Sequence, residues 1–168
     1  PRLCINKILR TVSVGIPDAS ILMASSGSRR RQHVHTFAKP LIPVLGRPLI
    51  SYTLEILGQT AIINGCAVVG YEAALIKAEM RALIPVGLHA QFVQNVDWRK
   101  QNGLSVLAAA SHVRGPFLLT MCDHLFDPTV VKVLVQKADP ARITVAADQK
   151  IGSIFDRDDA MKIRTQGE

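Results

Sequence analysis

The chain has 168 residues, a length that suits one domain with a sizeable core. Its composition, 48% hydrophobic and 20% charged residues, excludes a disordered chain, and no apolar run approaches the ~20 residues that cross a membrane. The net charge of +7 favours an acidic partner, either nucleic acid or a phosphorylated small molecule. Only 5% of the residues are aromatic, which leaves few stacking platforms for single strands. We therefore expect a small-molecule partner and no nucleic acid.

The first 18 residues mix basic and apolar side chains and end in a turn. We interpret residues 1–18 as an N-terminal extension, with one strand near residues 11–14, ahead of a domain over residues 19–168. Three widely separated cysteines suggest neither a zinc site nor a disulfide framework, and they indicate a reducing, cytoplasmic location. These cysteines are Cys4, Cys66 and Cys122.

A short apolar run at residues 21–24 predicts a buried strand, and small residues follow it. Small residues after a buried strand let the backbone turn tightly and direct its N–H groups outward, as in loops that bind phosphate. Three arginines at residues 29–31 add positive charge with bidentate geometry for phosphate oxygens. This stretch therefore predicts a phosphate-binding loop. The nucleotide-binding residues predicted in it are Ala24, Ser25, Ser26, Gly27 and Ser28.

A lysine and a helix come next along the chain. Lys39 precedes a proline inside an otherwise apolar segment. Pro48 suits the first position of a helix and Gly58 suits its end. Between them, residues spaced at i, i+3, i+4 and i+7 predict one buried stripe. The stripe consists of Ile50, Thr53, Leu54 and Leu57.

Strand and helix patterns alternate over the rest of the chain. Buried strands are predicted at residues 66–71, 89–93, 117–122 and 143–146. The third of these runs is continuous and apolar, which predicts burial on both faces. Amphipathic helices are predicted over residues 72–83, from Asn102 and from Asp127. Their predicted stripes are Ile76, Met80 and Leu83; Leu104, Leu107, Ala108 and Ser111; and Val131, Leu134, Val135 and Ala138.

The alternation predicts an α/β fold, a Rossmann-like three-layer α/β/α sandwich with a mostly parallel sheet, built from right-handed βαβ units. Sheets of this kind bind ligands at the carboxyl ends of their strands. The phosphate-binding loop, the Asn102-Gly103 turn and Asp123 all fall at that end of the predicted strands. We therefore expect them to lie at one edge of the sheet.

In this order, the motifs resemble those of the MobA-like NTP transferases, nucleotidyltransferases that activate sugar or alcohol phosphates with a nucleoside triphosphate. That family has a first strand, a loop L-A-A-G-x-G-x-R, then P-K-P-L, V-x-G and P-L-I before a helix. The matching segments here are L-M-A-S-S-G-S-R at 22–29, A-K-P-L at 38–41, V-L-G at 44–46 and P-L-I at 48–50. Ser25 replaces the first loop glycine and Ala38 replaces a proline. If the loop needs a positive φ at residue 25, serine is strained there.

Later segments extend the resemblance. N-G-x-S at residues 102–105 and a D-H pair at residues 123–124 resemble in particular the cytidylyltransferases that use inositol 1-phosphate. In several of these the domain is fused ahead of a membrane-embedded CDP-alcohol phosphotransferase, so the resemblance implies a membrane partner of this kind outside this chain. The family's later segment, which brings a second acidic residue near the metal, has no counterpart here. We therefore expect the C-terminal part of the domain to be missing, with nucleotide binding retained and catalysis weak.

The resemblance implies transfer of a cytidylyl group from CTP to a phosphorylated alcohol, above all inositol 1-phosphate, with release of pyrophosphate. It assigns catalytic, phosphate-neutralising roles to Lys39 and Arg29, and Mg²⁺ binding to Asp123. It assigns binding of the base and ribose to Asn102, Gly103 and Ser105. The alternatives are a different base, a sugar-phosphate or choline-phosphate acceptor, and a non-catalytic relative that binds nucleotide or a partner protein.

Overall fold

The computed structural model describes residues 15–26, 37–139 and 141–147, so the strand predicted near residues 11–14 lies outside the described residues. Strands and helices alternate along the described chain. In chain order they are β1 (Asp18–Met23), β2 (Pro43–Val44), β3 (Arg47–Pro48), α1 (Leu49–Gly58), β4 (Asn64–Val69), α2 (Ala73–Arg81), β5 (His89–Gln94), α3 (Asn102–Ala109), β6 (Phe117–Met121) and α4 (Pro128–Lys137). A 3₁₀ turn at Lys39–Leu41 precedes β2.

Four strands form a parallel sheet in the order β5-β4-β1-β6. In the centre, Ile21 of β1 pairs with Ala67 of β4 on one side and with Thr120 of β6 on the other. Because the strands are parallel, their carboxyl ends meet at one edge, and helices make the crossover connections. The predicted parallel sheet is therefore confirmed. β2 and β3 form a separate antiparallel hairpin.

Helices cover both faces of this sheet. Successive side chains of β1 point to opposite faces, as strand geometry requires. Ile21 and Met23 belong to a core that includes Leu54 of α1, whereas Leu22 packs in a second core with Ala109 of α3. The predicted three-layer α/β/α arrangement is therefore confirmed.

Helix α1 buries the stripe that its sequence predicts. Pro48 immediately precedes the helix and Gly58 is its last residue. A side chain at Gly58 would meet Pro85, because an added Cβ would lie 2.9 Å from the proline Cβ. The residues of the stripe are fully buried, with 0% exposure each, and are Ile50, Thr53, Leu54 and Leu57.

Helix α3 buries a different face from the predicted one. Leu107, part of the predicted stripe, is 68% exposed, and Ser111 lies beyond the end of the helix. Ser105 and Ala109 are buried instead. The side chain of Asn95 donates a hydrogen bond to the Ser105 hydroxyl at 3.0 Å, so a polar residue can occupy the buried face of the helix.

The strand β6 and the segment after α4 are more exposed than predicted. β6 was expected to be buried on both faces, but Leu119 is 48% exposed. In the described part of the chain β6 pairs only with β1, so no strand covers its far side. The predicted strand at residues 143–146 is wrong, because these residues pair with no strand in the described chain and Ile143 is 93% exposed. An apolar run becomes a buried strand only where neighbours cover it.

Asp18 joins three segments at the opposite edge of the sheet. It lies at the end of the predicted extension, yet it is the first residue of β1 and is buried. Its Oδ1 accepts a hydrogen bond from the Asn64 side chain and its Oδ2 one from the backbone N–H of Arg114, both at 2.8 Å. Among the described helices, none is both long enough and apolar enough to cross a membrane.

Candidate active site

Lys39 opens the 3₁₀ turn that leads towards β2. Pro40 and Leu41 of this turn are buried and anchor it, and proline is well suited to the first turn of a helix. Ala38, which replaces the first proline of the P-K-P-L motif, has φ −61° and ψ 139°. A proline would adopt the same φ, so alanine preserves the backbone path into Lys39.

Asp123 follows β6 at the edge where the parallel strands end. The backbone N–H of Cys122 donates a hydrogen bond to the carbonyl of Leu22 at 3.1 Å, so the pairing with β1 continues to the residue before Asp123. Nζ of Lys39 lies 2.6 Å from Oδ2 of Asp123, and the two side chains are 16% and 19% exposed. The two residues to which the sequence assigns phosphate and metal binding therefore form one ion pair, largely shielded from water.

The surroundings of Asp123 keep its carboxylate charged. Burial alone would raise the pKa of Asp123, but the ammonium of Lys39 and the nearby His124 outweigh it and hold the pKa below its ordinary value. Oδ1 of Asp123 is buried and has no hydrogen-bond partner among the described residues. A buried, charged oxygen without a donor is costly unless something else satisfies it. The site is therefore arranged to receive a cation or a hydrogen-bond donor.

Asp123 fits the magnesium role that the resemblance implies. Mg²⁺ prefers oxygen ligands, keeps several waters and usually binds through one or two carboxylates together with substrate phosphates. The described residues contain no cluster of three or more potential metal ligands. One open carboxylate oxygen suits Mg²⁺ that arrives with a triphosphate, and it does not suit an all-protein metal site.

The loop predicted to bind phosphate begins directly after β1. Ala24 is buried, and its carbonyl accepts a hydrogen bond from the backbone N–H of Tyr71 at 2.9 Å. Ser25 and Ser26 are half-buried. The loop therefore starts beside the ends of β1 and β4. The other predicted phosphate ligands lie outside the described residues and are Gly27, Ser28 and Arg29.

The backbone of Ser25 does not have the positive φ that would strain a serine. Among the described residues other than glycine, the positive φ angles belong to Leu45 (49°) and Glu72 (50°). Ser25 therefore adopts a backbone conformation that is open to any residue, and serine can replace the family's glycine at this position without backbone strain. Replacing Ser25 with glycine is not expected to relieve strain.

Asn102 and Gly103 form the exposed first turn of α3. A Cβ added at Gly103 would meet no atom within 4 Å, so the backbone there is open to a ligand. Ser105 is different, because it is 4% exposed and its hydroxyl accepts a hydrogen bond from Asn95. The direct contact of Ser105 with a nucleotide stays a prediction, while the structure shows it holding the preceding loop.

Asn95 shapes the site, although the sequence motifs did not identify it. Its backbone N–H donates to the carbonyl of Val69 at 2.8 Å, and its Oδ1 accepts from the N–H of Asp97 at 2.9 Å. With its bond to Ser105, it ties the end of β4 to the loop and helix that present Asn102. An N-x-D sequence directly after a strand is typical of such a turn and could have identified it.

A groove of about 500 Å³ lies between α1 and the end of α2 and contains none of the predicted site residues. Arg47 lines this groove and forms an ion pair with Glu55, with 2.7 Å between Nη2 and Oε2. Its guanidinium carbon lies 4.8 Å from the centre of the Tyr52 ring. The groove is therefore separate from the site around Lys39 and Asp123.

Known proteins resemble this chain in sequence and in fold. A family model described as the MobA-like NTP transferase domain matches residues 19–155. The bifunctional IPC transferase and DIPP synthase of Aquifex aeolicus is 23% identical over 152 residues, which cover 90% of this chain and 33% of that protein. The protein of the same name from Rubrobacter xylanophilus is 31% identical over 119 residues, 70% of this chain and 26% of the relative. The chain thus spans about a third or less of the length of these relatives.

Among solved structures, the inositol-1-phosphate CTP transferase from T. maritima matches with a TM-score of 0.63. The two sequences are 22% identical, and the match covers 74% of this chain and 51% of the other. The two proteins therefore share a fold.

Proposed function

Because the chain belongs to the MobA-like NTP transferase family, we propose that it transfers a nucleotidyl group from a nucleoside triphosphate to a phosphorylated small molecule and releases pyrophosphate. The observation that carries this proposal is the pair of Lys39 and Asp123, 2.6 Å apart, in which one buried carboxylate oxygen has no donor. Asp123 follows β6, the strand beside β1, at the edge where parallel sheets bind ligands, and the 3₁₀ turn brings Lys39 to it. A triphosphate and its metal need a cation and an open carboxylate in such a place.

In the proposed reaction a phosphate oxygen of the acceptor attacks the α-phosphorus of the triphosphate. A new P–O bond forms as the bond to the bridging oxygen breaks, and pyrophosphate leaves with that electron pair. Charge accumulates on three phosphates, so catalysis depends on positioning and charge neutralisation. No protein nucleophile is required. Cys122, next to Asp123, is unsuited to that role, because burial first and the Asp123 charge second raise its pKa to about 12.

The residues divide this work between them. Lys39 neutralises phosphate charge, and its shielding from water strengthens that interaction. Asp123 would hold Mg²⁺, which supplies further charge neutralisation when bound. The backbone N–H groups of Ser25 and Ser26 donate to phosphate oxygens, and the exposed turn at Asn102 receives the base and ribose.

We extend the proposal to CTP as the donor and inositol 1-phosphate as the acceptor. Support comes from the names of the relatives, an IPC transferase and an inositol-1-phosphate CTP transferase. The N-G-x-S and D-H motifs at residues 102–105 and 123–124 agree with it. The names of both relatives describe a bifunctional protein with a transferase and a synthase activity. In line with this, we propose that a CDP-alcohol phosphotransferase domain is fused to this domain outside this chain.

The test is magnesium-dependent release of pyrophosphate from ATP, CTP, GTP and UTP, each with and without inositol 1-phosphate. We expect release from CTP when the acceptor is present, and none after chelation of the metal. Asp123→Asn should lose this release, and Asp127→Asn is its matched control, because it makes the same change at an exposed carboxylate four residues along the chain. Release with another base, or with a hexose or choline phosphate, would reassign the substrates. Binding without turnover would favour a non-catalytic relative, and the absence of both would contradict the proposal.

A further inference from the structure

Trp98 packs tightly against the backbone at the carboxyl end of β4. A Cβ added at Gly70 would lie 2.8 Å from the carbonyl oxygen of Ala24 and closer still to the Cβ of Trp98. Real Cβ atoms do not approach other atoms so closely, so only glycine leaves room for this contact. Trp98, Gly70 and Ala24 therefore form one packed unit.

The same unit encloses the start of the phosphate-binding loop. The carbonyl of Ala24 accepts a hydrogen bond from the backbone N–H of Tyr71 at 2.9 Å, and Ala24 is only 4% exposed. The ring of Tyr71 lies against the indole of Trp98, with ring centres 5.4 Å apart and planes inclined by 59°. The backbone that leads into Ser25 is therefore held on the side of β4 by two aromatic residues.

The indole is itself held in place. The guanidinium of Arg99 lies 4.5 Å from the centre of the Trp98 ring, a distance typical of a cation–π contact. The loop that carries Trp98 is fixed at its start by Asn95, which bonds to Val69, to Asp97 and to Ser105 of α3. Trp98 therefore lies in the segment that joins β5 to the turn at Asn102, and it touches the strand beside the phosphate-binding loop.

We propose that Trp98 is a positioning residue for the bound triphosphate, acting through Gly70 and Ala24 on the direction of the backbone N–H groups of Ser25 and Ser26; this rests on the proposed function. Hydrogen-bond donors stabilise phosphate charge most when they are preorganised, because no reorganisation is then needed on binding. The indole also links the two halves of the nucleotide site, the loop after β1 and the turn before α3. Neither Trp98 nor Gly70 touches the reacting atoms.

The test measures affinity for CTP with Mg²⁺ by calorimetry in the wild type, Trp98→Ala, Trp98→Phe and Gly70→Ala. We expect Trp98→Ala and Gly70→Ala to weaken CTP binding about 10- to 100-fold, since small misplacements of binding groups are costly. Trp98→Phe keeps an aromatic ring against Gly70 and should bind within about 3-fold of the wild type, since the donors keep their positions. Thermal unfolding of each variant shows whether it is folded at the assay temperature.

Phe117→Ala is the matched control, because it removes a half-buried aromatic side chain where β6 begins, at the opposite edge of the sheet. It should lower the Tm and leave the Kd for CTP unchanged.

Two failures are distinguishable. If the wild type binds CTP and a folded Trp98→Ala binds it equally well, the positioning role is overturned and the proposed function survives. If the wild type binds none of the four triphosphates, both are overturned.

Discussion

Two aspartates that are largely shielded from water lie at opposite edges of the same sheet, and their surroundings differ. Asp18, at the start of β1, has both carboxylate oxygens satisfied, one by the Asn64 side chain and one by the backbone of Arg114. Asp123, after β6, has Oδ2 paired with Lys39, while its buried Oδ1 has no hydrogen-bond partner in the described chain. Both carboxylates are shielded from water, but only one of them is fully satisfied by the protein.

The difference separates a structural carboxylate from a candidate functional one. A buried polar group that serves the fold alone is normally hydrogen-bonded, since an unsatisfied one costs free energy. Asp18 meets that condition by joining three segments, so its removal should affect stability. Asp123 does not meet it, so its removal should affect ligand binding and turnover. The following variants test this division.

The largest effect is expected for Asp123→Asn, which keeps the shape of the side chain and removes its charge. We expect turnover with CTP and Mg²⁺ to fall about 10³-fold or more, because a metal ligand contributes several kcal/mol of charge stabilisation in the transition state. The fold should be retained, since the long Lys39 side chain can turn its ammonium towards solvent. Pyrophosphate release and circular dichroism are the measurements. Normal turnover with a normal metal requirement would show that the metal is held elsewhere.

Lys39→Ala should be the next most damaging change. We expect a loss of about 10²–10³-fold in rate, comparable to the removal of one preorganised donor in other enzymes. The loss should appear in kcat if the ammonium contacts charge that develops in the transition state. Steady-state kinetics separate the two parameters, and a loss confined to KM would assign Lys39 to ground-state binding. Because the two residues form one pair, Lys39→Ala combined with Asp123→Asn should cost less than the sum of the single effects.

Asp18→Ala should produce the opposite result. It leaves the Asn64 amide and the Arg114 N–H without their acceptor, so we expect the free energy of unfolding to fall by about 1–3 kcal/mol. Turnover per folded molecule should be unchanged, because the carboxylate lies at the other edge of the sheet. Urea unfolding and kcat at a temperature well below the Tm provide the two readings. If Asp18→Ala lowered turnover and left the free energy of unfolding unchanged, the assignment of Asp18 to stability and Asp123 to function would be contradicted.

The smallest effect is expected for a third aspartate, Asp127, which is exposed and caps α4. The backbone N–H of Thr129 donates to Asp127 Oδ1 at 2.7 Å and lowers the pKa of Asp127. A lowered pKa means that the ionised form stabilises the fold, so its contribution is present above about pH 4 and disappears as the pH falls further. Asp127→Ala should lower the Tm by a few degrees at pH 7 and by less as the solution is acidified. Asp127→Asn, a cap that does not titrate, is the control, and a Tm difference independent of pH for Asp127→Ala would contradict the expectation.

Helices α1 and α3 show how far local pattern decides burial. The stripe of α1 was confirmed because a single face of the helix carries its regularly spaced apolar residues and meets the sheet. In α3 apolar residues occur on several faces, so the pattern leaves the rotation of the helix open. The hydrogen bond from Asn95 to Ser105 accompanies a different rotation, with Leu107 exposed. The partner in that bond, Asn95, lies in the loop after β5, so helical periodicity cannot reveal it.

By itself, the sequence determined the alternation of strands and helices, the parallel sheet and the kinds of side chain gathered at its carboxyl edge. Periodicity, glycine, proline and buried apolar runs act over a few residues, so one sequence suffices to recognise them. Only the tertiary structure decided that Lys39 and Asp123 form one ion pair, that Oδ1 of Asp123 lacks a donor, and that Trp98 packs on Gly70. It also decided that β6 is partly exposed. Each of these facts depends on atoms that folding brings together from segments far apart in the chain.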